Sequence, residues 1–217
     1  MKKKFISSAV CFLLFFAVMA AVKLIDVAAV GPDGTSIGLS SLNSAVHNLF
    51  GVNFVLYDIT DMLGKLAIAS GLIFAFMGLM QLIKRKSLLK VDNEILVLGG
   101  LYIFIGIIYV FFEKVIVNYR PIIMPDCNTP EASFPSSHTV LGCVVLGSIM
   151  ILIDRYVSSK KLQKFLYVLI SSAILFTVVG RLVSGVHWFT DIVAGVLLSL
   201  ALIYLYWGIV DRIGEKK

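Results

Sequence analysis

The sequence predicts an all-α membrane protein built as one bundle of six transmembrane helices. Apolar residues make up 59% of its 217 positions, and charged residues make up only 15%. The mean hydropathy is +0.96, and the charged residues lie mostly in short clusters between long apolar runs. A soluble domain of this size could not bury so many apolar side chains. These observations exclude the soluble, disordered and fibrous classes of protein.

Six apolar runs approach the roughly 20 residues that a helix needs to cross a hydrocarbon core about 30 Å thick. The first run follows Lys2, Lys3 and Lys4 and is longer than the apolar region of a signal peptide, so we expect a retained anchor helix. Tyr204 and Trp207, near the end of the last run, are typical of membrane interfaces. The six predicted spans cover residues 5–22, 66–83, 95–112, 138–153, 165–180 and 192–210.

Residues 1–217 are predicted to form a single membrane domain with two parts. Residues 1–64 supply the anchor helix and an outer segment, and residues 65–210 supply a core bundle of five helices. In the outer segment, Leu42 and Val46 are spaced as on one helix face, which predicts a short helix at the membrane interface. We expect this helix to cover the bundle rather than to form a separate binding module.

Basic residues predict the orientation, because lysines and arginines in short loops favour the cytoplasmic side. Of 19 such residues, 14 fall at one end of the predicted bundle and five at the other. The sequence therefore predicts that both termini are cytoplasmic and that the opposite end faces outside. The net charge of +6 does not indicate nucleic acid, because the basic residues form no stripe. The 14 are Lys2, Lys3, Lys4, Lys84, Arg85, Lys86, Lys90, Arg155, Lys160, Lys161, Lys164, Arg212, Lys216 and Lys217, and the five are Lys23, Lys65, Lys114, Arg120 and Arg181.

Three ionisable residues are predicted to lie at one depth near the outer edge of the membrane. His138 lies about 17 residues before Arg155, and Arg181 about 17 residues after Lys164, so each is roughly 25 Å from the inner end. Asp191 lies at a similar height on the last span. Ionisable residues at this depth should face the bundle interior or a water-filled cavity. We therefore expect the three side chains to converge on one outer cavity.

The first stretch with candidate functional residues runs from Lys114 to Arg120-Pro121, at the outer end of the third span. Two cations with too few carboxylates repel each other and favour an anion between them. Glu113 can pair with Lys114, and basic side chains also snorkel to a membrane interface. This stretch by itself leaves an anion site and interfacial snorkelling both open.

The second stretch, Ser136-Ser137-His138, precedes the fourth span. Serine is a preferred helix N-cap, and the first N–H groups of a helix, at the positive end of its dipole, bind phosphate. A capping serine is common, but a histidine in the first turn is less so, because a cation is disfavoured there. This stretch predicts a phosphate-binding helix N-terminus beside the titratable imidazole of His138.

The third stretch joins the fifth and sixth spans and contains Arg181, His187 and Asp191. The histidine and the aspartate are spaced i, i+4, so on a helix the carboxylate reaches one imidazole nitrogen. The other nitrogen is then free to act as a nucleophile. An isolated pair of this kind is more often structural, but Arg181 and a second histidine at the same height favour a catalytic role.

Together the three stretches resemble the three-part signature of the type 2 phosphatidic acid phosphatase superfamily. That signature reads Lys, six residues, Arg-Pro; then Pro-Ser-Gly-His; then Ser-Arg, five residues, His, three residues, Asp. The spacing of the second and third parts matches, and the chain resembles the bacterial branch that contains phosphatidylglycerophosphatase B and undecaprenyl-diphosphate phosphatases. Three positions depart from the pattern: Lys114 is one residue closer to Arg120, Ser137 replaces glycine and Gly180 replaces serine.

The resemblance implies a metal-independent membrane phosphatase that hydrolyses phosphatidylglycerophosphate, undecaprenyl diphosphate or phosphatidic acid through a phosphohistidine. It implies that His187, oriented by Asp191, attacks phosphorus and that His138 is the general acid. It also implies no metal and no cofactor, a lipid phosphate as the binding partner, no nucleic acid and no obligate protein partner. The residues that it assigns to phosphate binding are Lys114, Arg120, Ser136, Ser137 and Arg181.

Two other classes of protein fit part of the pattern. A metal-dependent hydrolase could use two histidines and an aspartate as ligands, but the nearby cations would repel a divalent ion and no further carboxylate ligand is evident. A non-enzymatic transporter of anionic lipids could use basic residues along its path, but it would not need His187 paired with Asp191. Release of phosphate from a lipid separates the enzyme from the transporter.

Overall fold

The computed structural model describes residues 2–214 and confirms the all-α fold class. Within these residues, regular secondary structure is helical apart from two isolated bridges. Six of the seven α-helices are long and apolar enough to cross a membrane, and α2 is short. The helices are α1 (Lys2–Leu24), α2 (Ser40–Phe50), α3 (Phe54–Arg85), α4 (Asn93–Lys114), α5 (Ser137–Tyr156), α6 (Lys160–Val183) and α7 (Phe189–Gly214).

Helix α3 begins at Phe54, well before the predicted start of the second span. Asn53 caps it by accepting a hydrogen bond from the backbone N–H of Leu56, at 3.0 Å. Asp58, Asp61 and Lys65 interrupt the apolar pattern without interrupting the helix, because charged residues at i, i+3 and i+4 spacings share one helix face. The boundary drawn between residues 64 and 65 therefore falls inside one continuous helix.

The core lies along α5 and α7, the two most buried spans. Helix α7 packs against α1, α4 and α5, and α5 also packs against α3 and α6. Phe15 and Val22 of α1 join Val144 of α5 and Leu198 and Leu202 of α7 in one buried cluster. Helix α1 is therefore part of the bundle core, whereas the sequence suggested an anchor beside a five-helix core.

Ion pairs join the helix ends at one end of the bundle. Lys4 of α1 pairs with Asp211 of α7, and Arg85 of α3 pairs with Asp92, just before α4, at 2.8 Å. Arg155, near the end of α5, pairs with Glu94 in the first turn of α4. The basic clusters of the sequence therefore lie together at this end. Lys216 and Lys217, counted with them, lie outside the described residues.

Helix α2 covers the opposite end, with its polar side turned inward. Asn43 is fully buried, and its side-chain amide donates to the carbonyl of Gly38 at 2.8 Å and to Thr190 Oγ1 at 3.0 Å. The Asn43 side-chain oxygen accepts from the backbone N–H of Thr190 at 3.1 Å. Leu42 and Leu49 are exposed on its outer side. The predicted short helix is present, and it is tied to the first turn of α7.

Candidate active site

The three stretches meet at the end of the bundle opposite the ion pairs. The end of α4, the start of α5 and the connection between α6 and α7 enclose a cavity of about 180 Å³. Arg120, Ser137, His138 and His187 line it, so four of the eight predicted site residues face the same cavity. The remaining four are Lys114, Ser136, Arg181 and Asp191.

The connection between α6 and α7 holds His187 in a buried position. Gly185 has a φ of 69°, and a Cβ there would lie 1.8 Å from the carbonyl oxygen of Gly51. Only glycine fits this left-handed, tightly packed site. The indole N–H of Trp188 donates to the carbonyl of Tyr119 at 2.7 Å. These contacts fix the backbone on both sides of His187, which is 3% exposed.

The neighbours of His187 determine which of its nitrogens carries the proton. Nε2 lies 3.3 Å from Nη1 of Arg120, and Nδ1 lies 3.7 Å from Oδ2 of Asp191. A guanidinium can only donate, so Nε2 must accept, and a neutral imidazole then carries its hydrogen on Nδ1, which faces Asp191. Burial, followed by the charges of Arg120 and Arg181, lowers the pKa of His187 well below its usual range. The ring is therefore neutral at pH 7, with a lone pair on Nε2 that can attack an electrophile.

Asp191 lies in the first turn of α7 and reaches back across the helix start. Its Oδ2 accepts from the backbone N–H of Trp188 at 3.0 Å, as the acidic partner does in a capping box. His187 precedes the helix, which begins at Phe189, so the pair spans the helix boundary instead of lying on one regular turn. The carboxylate thus fixes the loop through the Trp188 N–H, whereas its 3.7 Å separation from Nδ1 of His187 is longer than a hydrogen bond.

Arg181 is fully buried, and its guanidinium lies 4.6 Å from the centre of the Tyr57 ring. Within the described residues, its three guanidinium nitrogens make no hydrogen bond. The carboxylate of Asp61 lies 3.8 Å from Nη2, beyond hydrogen-bond distance. These buried donors can bind an anion. Arg181 does not line the cavity itself but lies beside Tyr57 and Asp61 of α3.

Arg120 is held at the cavity wall by two neighbours. Its Nε lies 3.1 Å from Oε2 of Glu131, and its Nη1 donates to the carbonyl of Val186 at 3.3 Å. The backbone N–H of Arg120 also donates to the carbonyl of Glu131 at 2.9 Å. Arg120 therefore presents its guanidinium to His187 from a fixed position.

His138 lies in the first turn of α5, as the sequence predicted, but its partner was not foreseen. Its Nε2 is 2.8 Å from Oδ1 of Asp61 on α3. Asp61 also pairs with Lys65 at 2.8 Å. The sequence did carry a signal for this partner. Asp61 and Lys65 form an i, i+4 acid–base pair just ahead of an apolar run, and ionisable residues at such a depth usually face the protein interior.

Ser136 lies behind the cavity wall. It is fully buried, its Oγ accepts from the Thr139 hydroxyl at 3.0 Å, and its backbone N–H donates to the carbonyl of Asp191 at 3.1 Å. These bonds join the start of α5 to the start of α7. Ser137, which replaces the glycine of the family pattern, lines the cavity instead.

Lys114 is not brought into the cavity. Helix α4 stays regular through Lys114, and a helix turns about 100° per residue, so neighbouring side chains point in different directions. Glu113 lines the cavity, whereas Lys114 is exposed and does not. The carboxylate therefore occupies the position that the family pattern gives to lysine. Helix α4 ends at Lys114 and residues 115–118 are non-helical, but Lys114 still lies outside the cavity.

A comparison with protein-family models identifies the family. The model of the PAP2 superfamily matches residues 94–215, more than half of the chain. The chain therefore belongs to the PAP2 superfamily.

A solved structure of similar fold comes from Bacillus subtilis and is described as the first transmembrane PAP2-type phosphatidylglycerolphosphate phosphatase. It superposes with a TM-score of 0.63 at 21% sequence identity, over 95% of this chain and 97% of that one. No curated protein sequence matches the chain. At this identity the likeness shows that the two chains share a fold.

Proposed function

We propose that this protein is an integral membrane phosphatase that hydrolyses lipid phosphates through a phosphohistidine formed on His187. Membership of the PAP2 superfamily supports the class of reaction. A buried neutral imidazole with its lone pair beside Arg120 supports the nucleophile. We propose phosphatidylglycerophosphate, undecaprenyl diphosphate and phosphatidic acid as the candidate substrates.

The lipid substrate is supported by an apolar groove that lies next to the cavity and shares two lining residues with it. Ile105 and Leu141 line the cavity and also line a second hollow between α3, α4 and α5. The other walls of this hollow include Ile68, Leu72 and Val145. A phosphate held in the cavity would leave an attached hydrocarbon tail to lie along the groove, where burial of apolar surface is favourable.

The proposed reaction has two steps. Nε2 of His187 forms a bond to phosphorus as the bond from phosphorus to the leaving oxygen breaks, and His138 donates a proton to that oxygen. Water then attacks the phosphohistidine, His138 takes a proton from the water, and the bond between phosphorus and nitrogen breaks. Arg120 stabilises the charge on the phosphoryl oxygens from the cavity wall, and the buried Arg181 adds positive charge from outside that wall.

The proposal includes no metal ion. Within residues 2–214, no group of three His, Cys, Asp or Glu side chains is arranged to hold one. Arg120 and Arg181 supply the positive charge that a metal would otherwise provide. We propose further that both termini are cytoplasmic and that the cavity faces outside, because the basic clusters lie at the opposite end.

Release of inorganic phosphate by the purified protein in detergent tests the proposed function. The three candidate lipids are assayed side by side, each with EDTA and with vanadate. Phosphate release that persists in EDTA, falls with vanadate and is absent from His187→Ala supports a metal-independent phosphatase. Lipid binding or transport without phosphate release favours the transporter, and activity lost in EDTA and restored by zinc or magnesium favours the metal-dependent hydrolase.

A further inference from the structure

Asp61 joins the site from a helix that none of the three motif stretches includes. It lies on α3, outside the residues that match the family model. Its carboxylate contacts His138 of α5 and Lys65 of its own helix, each at 2.8 Å. The same carboxylate lies 3.8 Å from Arg181 of α6. Asp61 thus connects three helices at the floor of the site.

The ring of His138 is oriented against α3. A Cβ built on Gly64 would lie 3.3 Å from Cδ2 of His138, so the Cδ2 edge of the ring faces α3. Nδ1 is on the other edge and faces away from that helix. An ionised carboxylate can only accept, so Nε2 donates its hydrogen to Asp61. Nδ1, which is buried and makes no hydrogen bond within the described residues, is then the nitrogen left to exchange a proton.

We infer that Asp61 is a positioning residue that holds the Nε2 hydrogen of His138, so that Nδ1 serves as the acid and base of the reaction. This inference rests on the proposed function. His138 starts the cycle with a proton on both ring nitrogens. Nδ1 gives its proton to the leaving oxygen in the first step and regains one from the attacking water in the second. The Nε2 hydrogen stays with Asp61 throughout. Asp61 itself touches no reacting atom.

Substrates with different leaving groups separate this role from a purely structural one. A dialkyl phosphatidic acid has an alkoxide leaving group that needs a proton, whereas 4-nitrophenolate leaves without one. We expect Asp61→Asn to lower kcat/KM for phosphatidic acid on the order of 10- to 100-fold, part of the usual gain from general acid catalysis. For 4-nitrophenyl phosphate we expect kcat/KM to change by less than about threefold, because its leaving group does not require general acid catalysis.

Two control variants complete the experiment. Asp58 is exposed on the same helix, so Asp58→Asn should leave both substrates unaffected. In a His138→Ala background, Asp61→Asn should cause no further loss with phosphatidic acid, because a residue that acts through His138 has nothing left to orient.

Three results would contradict the role of Asp61: unchanged kcat/KM for phosphatidic acid in Asp61→Asn, equal losses with both substrates, or a full additional loss in the His138→Ala background. A wild-type protein that releases no phosphate from any substrate would overturn the proposed function and this inference together. Wild-type activity that Asp61→Asn leaves intact would overturn only the inference.

Discussion

At the scale of single residues, the charges on the cavity wall set how well the site holds an anion. Glu113 lines the cavity where the family pattern has lysine, and the neighbouring Lys114 is exposed outside it. A carboxylate repels a phosphate, so Glu113→Gln should lower the KM for phosphatidic acid by about two- to fivefold, as expected for an exposed charge pair. Steady-state kinetics in detergent micelles at low salt measure this effect.

Lys114→Gln is the matched control for that variant. Because its side chain lies outside the cavity wall, we expect its KM to stay within about twofold of wild type, the size of a weak surface interaction. A large rise in KM for Lys114→Gln with no change for Glu113→Gln would show that the lysine reaches the phosphate after all.

The sequence predicted the residue types of the site better than their surroundings. Spacing alone brought His138, Arg181 and Asp191 to one depth, because helical rise is constant. It could not show that Asp61 would meet His138, since that contact depends on how two helices are rotated against each other. It also did not show which of Glu113 and Lys114 would face the cavity, because that depends on where α4 loses its regular geometry.

At the scale of helices, α2 stabilises the start of α7 through one side chain. Asn43→Ala would leave the buried N–H of Thr190 without its partner, at a cost of about 1–3 kcal/mol. For a chain of this size, we expect Tm to fall by about 2 to 12 °C. Thermal unfolding in detergent, followed by circular dichroism, measures the change.

Asn48 provides the control on the same helix. It is exposed, so Asn48→Ala should shift Tm by less than about 2 °C, as surface substitutions do. If Asn43→Ala is as stable as Asn48→Ala, the hydrogen bonds between α2 and α7 do not stabilise the bundle.

The apolar groove between α3, α4 and α5 gives a second prediction for the helices. Ala75 lines this groove, and Ala75→Phe should narrow it. A clash of roughly 1.4 kcal/mol would lower kcat/KM for a long-chain phosphatidic acid on the order of tenfold. Activity on 4-nitrophenyl phosphate, which has no tail, should not change.

Ala69 is exposed on the same helix and lines neither the cavity nor the groove. Ala69→Phe therefore serves as the control, with wild-type activity on both substrates. Equal losses for the tailed and the tailless substrate in Ala75→Phe would mean that the groove does not hold the hydrocarbon.

At the scale of the whole molecule, hydropathy predicted the number and order of the spans because each had to approach the thickness of a bilayer. It predicted the start of α3 poorly. The charged residues Asp58, Asp61 and Lys65 lower the hydropathy of this stretch, so it was assigned to the outer segment, although these side chains share one face of α3. It also did not reveal that α1 packs along α7, because an apolar run alone does not show which neighbour it buries against.

Orientation in the membrane is tested by chemical labelling of intact cells. After removal of the native cysteines, a single cysteine at the exposed Thr129, near the cavity end, should react with an impermeant maleimide added outside. A single cysteine at the exposed Ser158, near the basic clusters, should react only after the cells are broken. The reverse labelling pattern would show that the proposed orientation is wrong and that the cavity faces the cytoplasm.

The phosphoenzyme tests the proposed function most directly. Rapid quenching during turnover of a lipid labelled in its phosphate should trap the label on the protein as an acid-labile, base-stable phosphoramidate. Peptide mapping should locate it on His187. The His138→Ala variant should still be labelled from 4-nitrophenyl phosphate, and His187→Ala should not. Label on His138, or turnover with no trapped label at any time, would contradict a phosphohistidine at His187.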